Sequence, residues 1–191
     1  MSDVIGAVEA HLRANVGGTE PVRASVTFIG VQPMDVLRFG PDTDRVVRYV
    51  TLGCSRQPMG DPEAMLTDAV QGPRAELVLA LRGGVDDVLR SIAVLAATPA
   101  VEGLVLRADS LIDLREPLWP GAAFTAVVLG PGAIPQLELG GERDPVVFFE
   151  AVPVTGTEAA WVRLRGAAAL REAWTEAGID VRDPGRSAVS L

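Results

Sequence analysis

The stretch "AELVLALRGGVDDVLRSIAVLAATP", Ala75 to Pro99, carries two periodicities in one run. Leu77, Leu79 and Leu81 project one way while Glu76, Val78, Ala80 and Arg82 project the other, the two-residue period of a strand. Two glycines then turn the chain. Beyond them Val85, Val88, Leu89, Ile92, Leu95 and Ala96 recur at helical spacing. Asp86 and Asp87 fall in the expected first turn, where the helix dipole favours anions. Pro99, which has no N–H to donate, is expected to end the helix.

Upstream of this run, Ser2 or Asp3 can cap a helix over Val4, Ile5, Val8 and Leu12. Short strand-like runs follow at 26–29, 34–39 and 45–52, separated by the turn-rich "VQP" and "GPDTD", which predicts an antiparallel meander. Residues 53–74 form a long connection, and "DPEAMLTDAV" within it reads as a short covering helix. Downstream, "SLIDL", "FTAVVLG" and the almost wholly apolar "VVFFEAVPV" are strand candidates, the last covered on both faces. Leu79 and Phe148 are expected in one core. Thr155 and Glu158 have capping-box spacing, and Trp161, Leu164, Ala168, Leu170 and Trp174 follow as a helical stripe that Gly166 can divide in two. The organisation predicted is one domain over residues 1–178 and a tail over 179–191.

Composition removes most chemistries. All 17 bases are arginine and there is one histidine, His11. Without lysine there is no Schiff base and no Walker A phosphate loop. One Cys and one His cannot assemble a zinc site of the Cys/His kind, and no metal or cofactor is expected. The net charge of −8 argues against nucleic acid and is compatible with a basic protein partner. No apolar run approaches the roughly 18 residues of a membrane span. A single cysteine, Cys54, fits a reducing cytoplasm.

Four stretches together resemble the suppressor of fused family: "YVTLGCSRQPM" (49–59), "RAELVLALR" (74–82), "EPLWPGAAFTAVVLGP" (116–131) and "VVFFEAVPVTGTEAAWVRLRGAAALREAW" (146–174). They come in the family's order across Val46 to Gly178. The TLG-x-S run followed by P-M and then R-A-E-L is the most specific part. The resemblance implies an α+β fold: a single domain with a mixed, mostly antiparallel β-sheet flanked by helices, one N-terminal and two C-terminal. It implies binding rather than catalysis. The animal namesake restrains a zinc-finger transcription factor by gripping an extended peptide, and bacterial single-domain relatives look like immunity proteins of toxin systems. A protein partner, a cognate toxin or an extended peptide, is therefore expected here.

The two proline-containing segments that the core pattern leaves unexplained are residues 53–74 and "REPLWPG", and binding residues concentrate on such loops. The candidate contact residues are Ser55, Arg56, Met59, Arg115 and Trp119, with the arginines able to grip a carboxylate or carbonyl by a forked contact. Ser55 can also bond local backbone, and Trp119 reads either as an exposed anchor or as a buried lid over the sheet edge. Cys54 has no base near it in sequence, so it reads as a turn or buried cysteine rather than a nucleophile. No catalytic residue is expected. The competing readings are a small hydrolytic enzyme using carboxylates or Tyr49, and a regulatory adaptor for an extended peptide.

Overall fold

The computed structural model describes residues 3–60 and 70–190. Seven strands form one sheet in the order β1-β2-β3-β4-β7-β6-β5. β1 (Val22–Phe28), β2 (Val31–Phe39), β3 (Val46–Leu52) and β4 (Arg74–Arg82) pair antiparallel in sequence order, as the meander pattern predicts. β5 (Leu111–Asp113), β6 (Phe124–Pro131) and β7 (Val146–Thr155) are also antiparallel to one another. β4 and β7 run parallel, with Glu76 beside Phe148 and Val78 beside Glu150. The sheet is mixed and mostly antiparallel, and the fold is a single α+β domain.

Helix α1 (Val4–Val16) is capped by the Asp3 carboxylate, which accepts from the Ile5 N–H at 3.1 Å. Helix α2 (Val88–Glu102) returns antiparallel to β4 and lies on the sheet face of Leu77, Leu79 and Leu81. The other face is covered twice. Val8 and Leu12 of α1 pack on Leu37, Val50, Val78 and Phe148. The helices α3 (Gly156–Arg165) and α4 (Ala167–Glu176) pack Val162, Leu170 and Trp174 on Ala126, Val128 and Val154. β4 is therefore buried on both faces.

Phe148 sits on the α1 face and Leu79 on the α2 face, so they do not share one core. The parallel register explains this: Phe148 lies beside Glu76, an odd number of residues from Leu79, and side chains alternate. Pro99 does not stop α2, which continues to Glu102. The Thr98 hydroxyl donates to the Leu95 carbonyl at 2.8 Å, supplying the bond that a residue-99 N–H would have made, and Gly103 closes the helix in the left-handed region. Asp86 and Asp87 precede the helix instead of occupying its first turn. The predicted stripe through Leu164 and Ala168 also fails, and Leu164 is 79% exposed. Gly166, at φ 85°, ends α3 and rotates the buried face to Ala167, Leu170 and Trp174. The predicted helix over "DPEAMLTDAV" falls on residues 61–69 outside the described set.

The predicted capping box forms: Thr155 Oγ accepts from the Glu158 N–H and Glu158 accepts from the Thr155 N–H. Glu158 is fully buried and also takes Trp174 Nε1 at 2.9 Å and Arg186 Nη1 at 2.7 Å. Arg186 lies over the Phe124 and Trp174 rings, a cation–π arrangement that helps hold residues 179–190 against the domain.

Two measurements check this architecture. Because Leu79 and Phe148 lie on opposite faces, truncating each to Ala should cost roughly 2–5 kcal/mol. The double mutant should add to within about 0.5 kcal/mol in chemical denaturation; strong coupling would place them in one core after all. Burial alone would raise the Glu158 carboxyl, but Arg186, Trp174 and the Thr155 N–H outweigh it and hold the group below its ordinary value of 4.5. A depressed folded value gives stability that is present above pH 4.5 and lost as pH falls through the folded value. Denaturation midpoints should therefore fall below pH 4.5 in wild type, and part of that slope should vanish in Glu158→Gln.

Candidate partner-binding site

The sheet's two ends differ. At one end lie the β1–β2 hairpin, the exit of β3, the start of β4 and the C-terminal end of α2. At the other lie the start of α2, the exit of β5 and the entry of β6. At the first end β3 runs into Gly53 and a single 3₁₀ turn, Cys54–Arg56. Gly53 has φ +145°, and a Cβ there would stand 3.1 Å from Met34 Sδ, so this backbone suits glycine alone.

The turn is built around Glu76, which is fully buried. Its carboxylate accepts from Thr51 Oγ1 at 2.6 Å, the Gly53 N–H at 2.8 Å, the Ser55 N–H at 3.0 Å and Ser55 Oγ at 2.6 Å. Thr51 Oγ1 in turn accepts the Leu77 N–H. Two residues before Glu76, Arg74 donates from Nη1 to the Ser55 and Arg56 carbonyls at 2.8 and 3.1 Å. The donors of the turn go to the carboxylate and its acceptors to the guanidinium. One short segment thus meets most of the hydrogen-bonding demand of both buried charges, leaving the Arg74 Nε–H without an acceptor among the described residues.

Beside this turn a cleft of about 360 Å³ opens, lined by Gln32, Met34, Cys54, Arg56, Gln57 and Ala100 among others. Ile29 and Val101, next in the chain to the cleft-lining Gly30 and Ala100, are both exposed. The Arg56 backbone is bonded at both ends, N–H to Gly53 and carbonyl to Arg74, while its half-exposed guanidinium has no hydrogen-bond or ion-pair partner among the described residues. Cys54 is half-buried in the cleft wall; burial, then the nearby Glu76 charge, pushes its thiol well above the ordinary cysteine value. That is opposite to what a nucleophile needs.

Ser55 is fully buried and bonds Glu76 instead of only local backbone. Met59 is buried, lines the cleft, and its sulfur accepts from the Leu106 N–H at 3.3 Å. Trp119 is buried against Phe124, with ring centroids 5.4 Å apart. Arg115 is exposed, with its N–H donated to Asp113. Arg56, Met59 and Cys54 are thus brought together, but Arg115 and Trp119 are not joined to them. β3 and β5 are separated by four strand spacings, roughly 19 Å, and Arg115 leaves β5 at the opposite end of the sheet. Tyr49 is fully buried, donates to Asp86 at 2.7 Å and accepts from the Val85 N–H at 2.8 Å. Burial first, then Asp86, holds its phenol proton on well past the usual value. Tyr49 locks the β4–α2 turn and is not free for chemistry. Among the described residues no group of three or more His, Cys, Asp or Glu side chains is placed to hold a metal.

Residues 30–187 match the family model described as suppressor of fused protein (SUFU). The chain belongs to the suppressor of fused family. A homologue from Neisseria gonorrhoeae FA 1090 superposes with a TM-score of 0.69 at 19% identity, covering 99% of this chain and 98% of that one. Drosophila Suppressor of Fused gives 0.65 at 13% identity, covering 98% of this chain and 50% of that one. A chain of the crystallised Sufu–Fu complex also gives 0.65 at 13%, covering 97% and 90%. At these identities the likeness is one of fold. No curated protein matches the sequence. No described helix is long and apolar enough to cross a membrane.

Glu76 and the neighbouring thiol should separate cleanly by mutation. Glu76→Ala orphans four donors, the Thr51 and Ser55 hydroxyls and the Gly53 and Ser55 N–H groups, and should cost roughly 3 kcal/mol or more. Cys54→Ser should stay within about 1 kcal/mol of wild type. Chemical denaturation of both variants checks this, and a near-neutral Glu76→Ala would refute the role given to the carboxylate.

Proposed function

We propose that this suppressor of fused domain is a non-catalytic protein-binding module that works in the cytoplasm and neutralises a partner protein by direct binding, as an immunity protein or antitoxin does. The observation that carries the reading is Arg56: a guanidinium with no partner among the described residues, on backbone bonded at both ends, lining a cleft whose walls include Met34, Met59 and Ala100. A planar guanidinium held in this way suits a carboxylate or carbonyl of a partner, and a prearranged surface loses little entropy on binding. A relative of the same fold was crystallised as a Sufu–Fu complex, which supports a protein as the partner. Arg115, beside the buried Trp119, would form a second contact only for a partner long enough to span the sheet.

A second reading, an adaptor gripping an extended peptide, is favoured by β1. Its outer edge pairs with no strand among the described residues, and it feeds the hairpin that borders the cleft. An open edge offers unpaired N–H and C=O groups to an added strand.

The test is affinity capture from the native host, identification of the partner and calorimetric titration with purified proteins. Arg56→Ala should weaken binding at least tenfold, about 1.4 kcal/mol, while Arg115→Ala stays near wild type. If Arg115→Ala weakens binding and Arg56→Ala does not, the contact surface lies at the other end of the sheet. For the antitoxin reading, expressing the captured partner alone should arrest growth and co-expressing this chain should restore it. A harmless partner would reject neutralisation while leaving binding intact.

A further inference from the structure

The cleft beside the Glu76 turn differs in charge from the chain that forms it. The chain carries 25 acids and 17 bases, yet Arg56 is the only charged side chain among the described residues that line the cleft. Behind the wall Glu76 and Arg74 are opposite in sign, and the 3₁₀ turn holds both. The Arg56 guanidinium is half-exposed and bonded to nothing among the described residues. A carboxylate brought to it meets no like charge in the described lining, and no existing bond of the guanidinium has to break first.

Cation and apolar wall adjoin. A Cβ placed on Gly53, itself part of the lining, would stand 3.7 Å from Arg56 Nη1 and 3.1 Å from Met34 Sδ. The guanidinium and the thioether therefore flank one glycine. Met34, Met59 and Ala96 are buried core residues where they line the cleft, and methionine adapts its shape to what it meets. Gln32 and Gln57, both exposed, add neutral amides that can donate and accept.

We propose that the cleft holds the C-terminal residue of a protein partner, its α-carboxylate on the Arg56 guanidinium and its apolar side chain against Met34 and Met59. The inference rests on the protein-binding reading of the same cleft and names what the cleft grips. A C-terminal residue carries its carboxylate and its side chain on one carbon, which matches a cation and an apolar wall that meet at one glycine. An aspartate or glutamate within a chain has a peptide group on each side. It would press those polar groups against the thioethers, which gives them no hydrogen-bond donor.

The test titrates the intact chain with four N-acetylated tripeptides. They are Gly-Gly-Leu as the free acid, Gly-Gly-Leu as the C-terminal amide, Gly-Gly-Gly as the free acid, and Gly-Glu-Leu as the C-terminal amide. Dissociation constants come from backbone amide chemical shifts. The leucine acid should bind at least tenfold more tightly than each of the other three and move the resonances of Gly53, Arg56 and Ala100. In Arg56→Ala, which removes no side-chain hydrogen bond among the described residues, the preference for acid over amide should fall below twofold. The proposal is overturned by equal binding of leucine acid and amide, by equal binding of the leucine and glycine acids, or by tighter binding of the internal glutamate. Shifts confined to other residues, absence of binding by all four, or an acid preference that survives in Arg56→Ala also overturn it. The two readings fail separately. If no tripeptide binds while Arg56→Ala still weakens the captured partner, protein binding stands and the C-terminal ligand falls. If the leucine acid binds as expected while Arg56→Ala leaves the captured partner's affinity unchanged, the cleft takes a C-terminus and the contact given to Arg56 with that partner falls.

Discussion

The carboxylate of Glu76 is the constraint on which the binding end of this domain depends. It sits in the third position of a central strand buried on both faces, where an unpaired charge would cost several kcal/mol. The chain meets that cost by folding the exit of β3 over it, so that the Gly53 and Ser55 N–H groups and the Thr51 and Ser55 hydroxyls converge on one side chain. Such a turn would leave its carbonyls bare in the same dry environment, and Arg74, two residues earlier on the same strand, takes them. Neither charge pairs directly with the other; the Ser55 peptide bridges them. Removing one side of the arrangement strands the other, so the TLG-x-S and R-A-E-L motifs are two halves of one structure.

Glu158 repeats the solution at the opposite end of the sheet. There a buried carboxylate gathers the first turn of α3, the Trp174 indole and Arg186 from beyond α4. The two clamps differ in what they leave over. Arg186 is enclosed by rings and carbonyls and is paired directly with Glu158. At the Glu76 end the fixing of backbone leaves one guanidinium uncommitted among the described residues, that of Arg56 in the cleft. The asymmetry follows from geometry, because a carboxylate that binds backbone consumes no second charged partner.

The strands of the meander, the capping box and the division at Gly166 were legible in the sequence because each rests on local pattern: alternation, turn residues, cap spacing; the mixed sheet was expected only from the resemblance to the family. What was not legible depends on partners distant in the chain. Glu76 reads as an ordinary outward-facing acid in an alternating strand; only its position between apolar neighbours on both sides hinted at burial, and its donors lie over twenty residues upstream. Leu79 and Phe148 were both recognisable as core, but which face each takes is set by the parallel register of β4 and β7, which no local signal encodes. Pro99 broke a sound rule because the neighbouring Thr98 hydroxyl replaced the missing donor. Loop composition selected Ser55, Arg56, Met59 and Trp119 alike; Arg56 is half-exposed in the cleft, while Ser55, Met59 and Trp119 are buried. Arg74 was passed over because an arginine opening a strand reads as a surface residue.

On the proposed reading, the acidic net charge and the free arginine in the cleft act on different steps of binding. The net charge of −8 belongs to the chain as a whole and acts at distances near the Debye length, about 8 Å in physiological salt. It therefore selects basic partners during encounter and raises the association rate. Arg56 is one group at short range, and a forked contact to a carboxylate or carbonyl is made only after docking. It would govern how long the complex lasts. A basic partner that presents one acidic or carbonyl-rich segment would satisfy both demands. An acidic partner would be repelled before reaching the cleft, so discrimination between partners would begin outside the site that finally holds them.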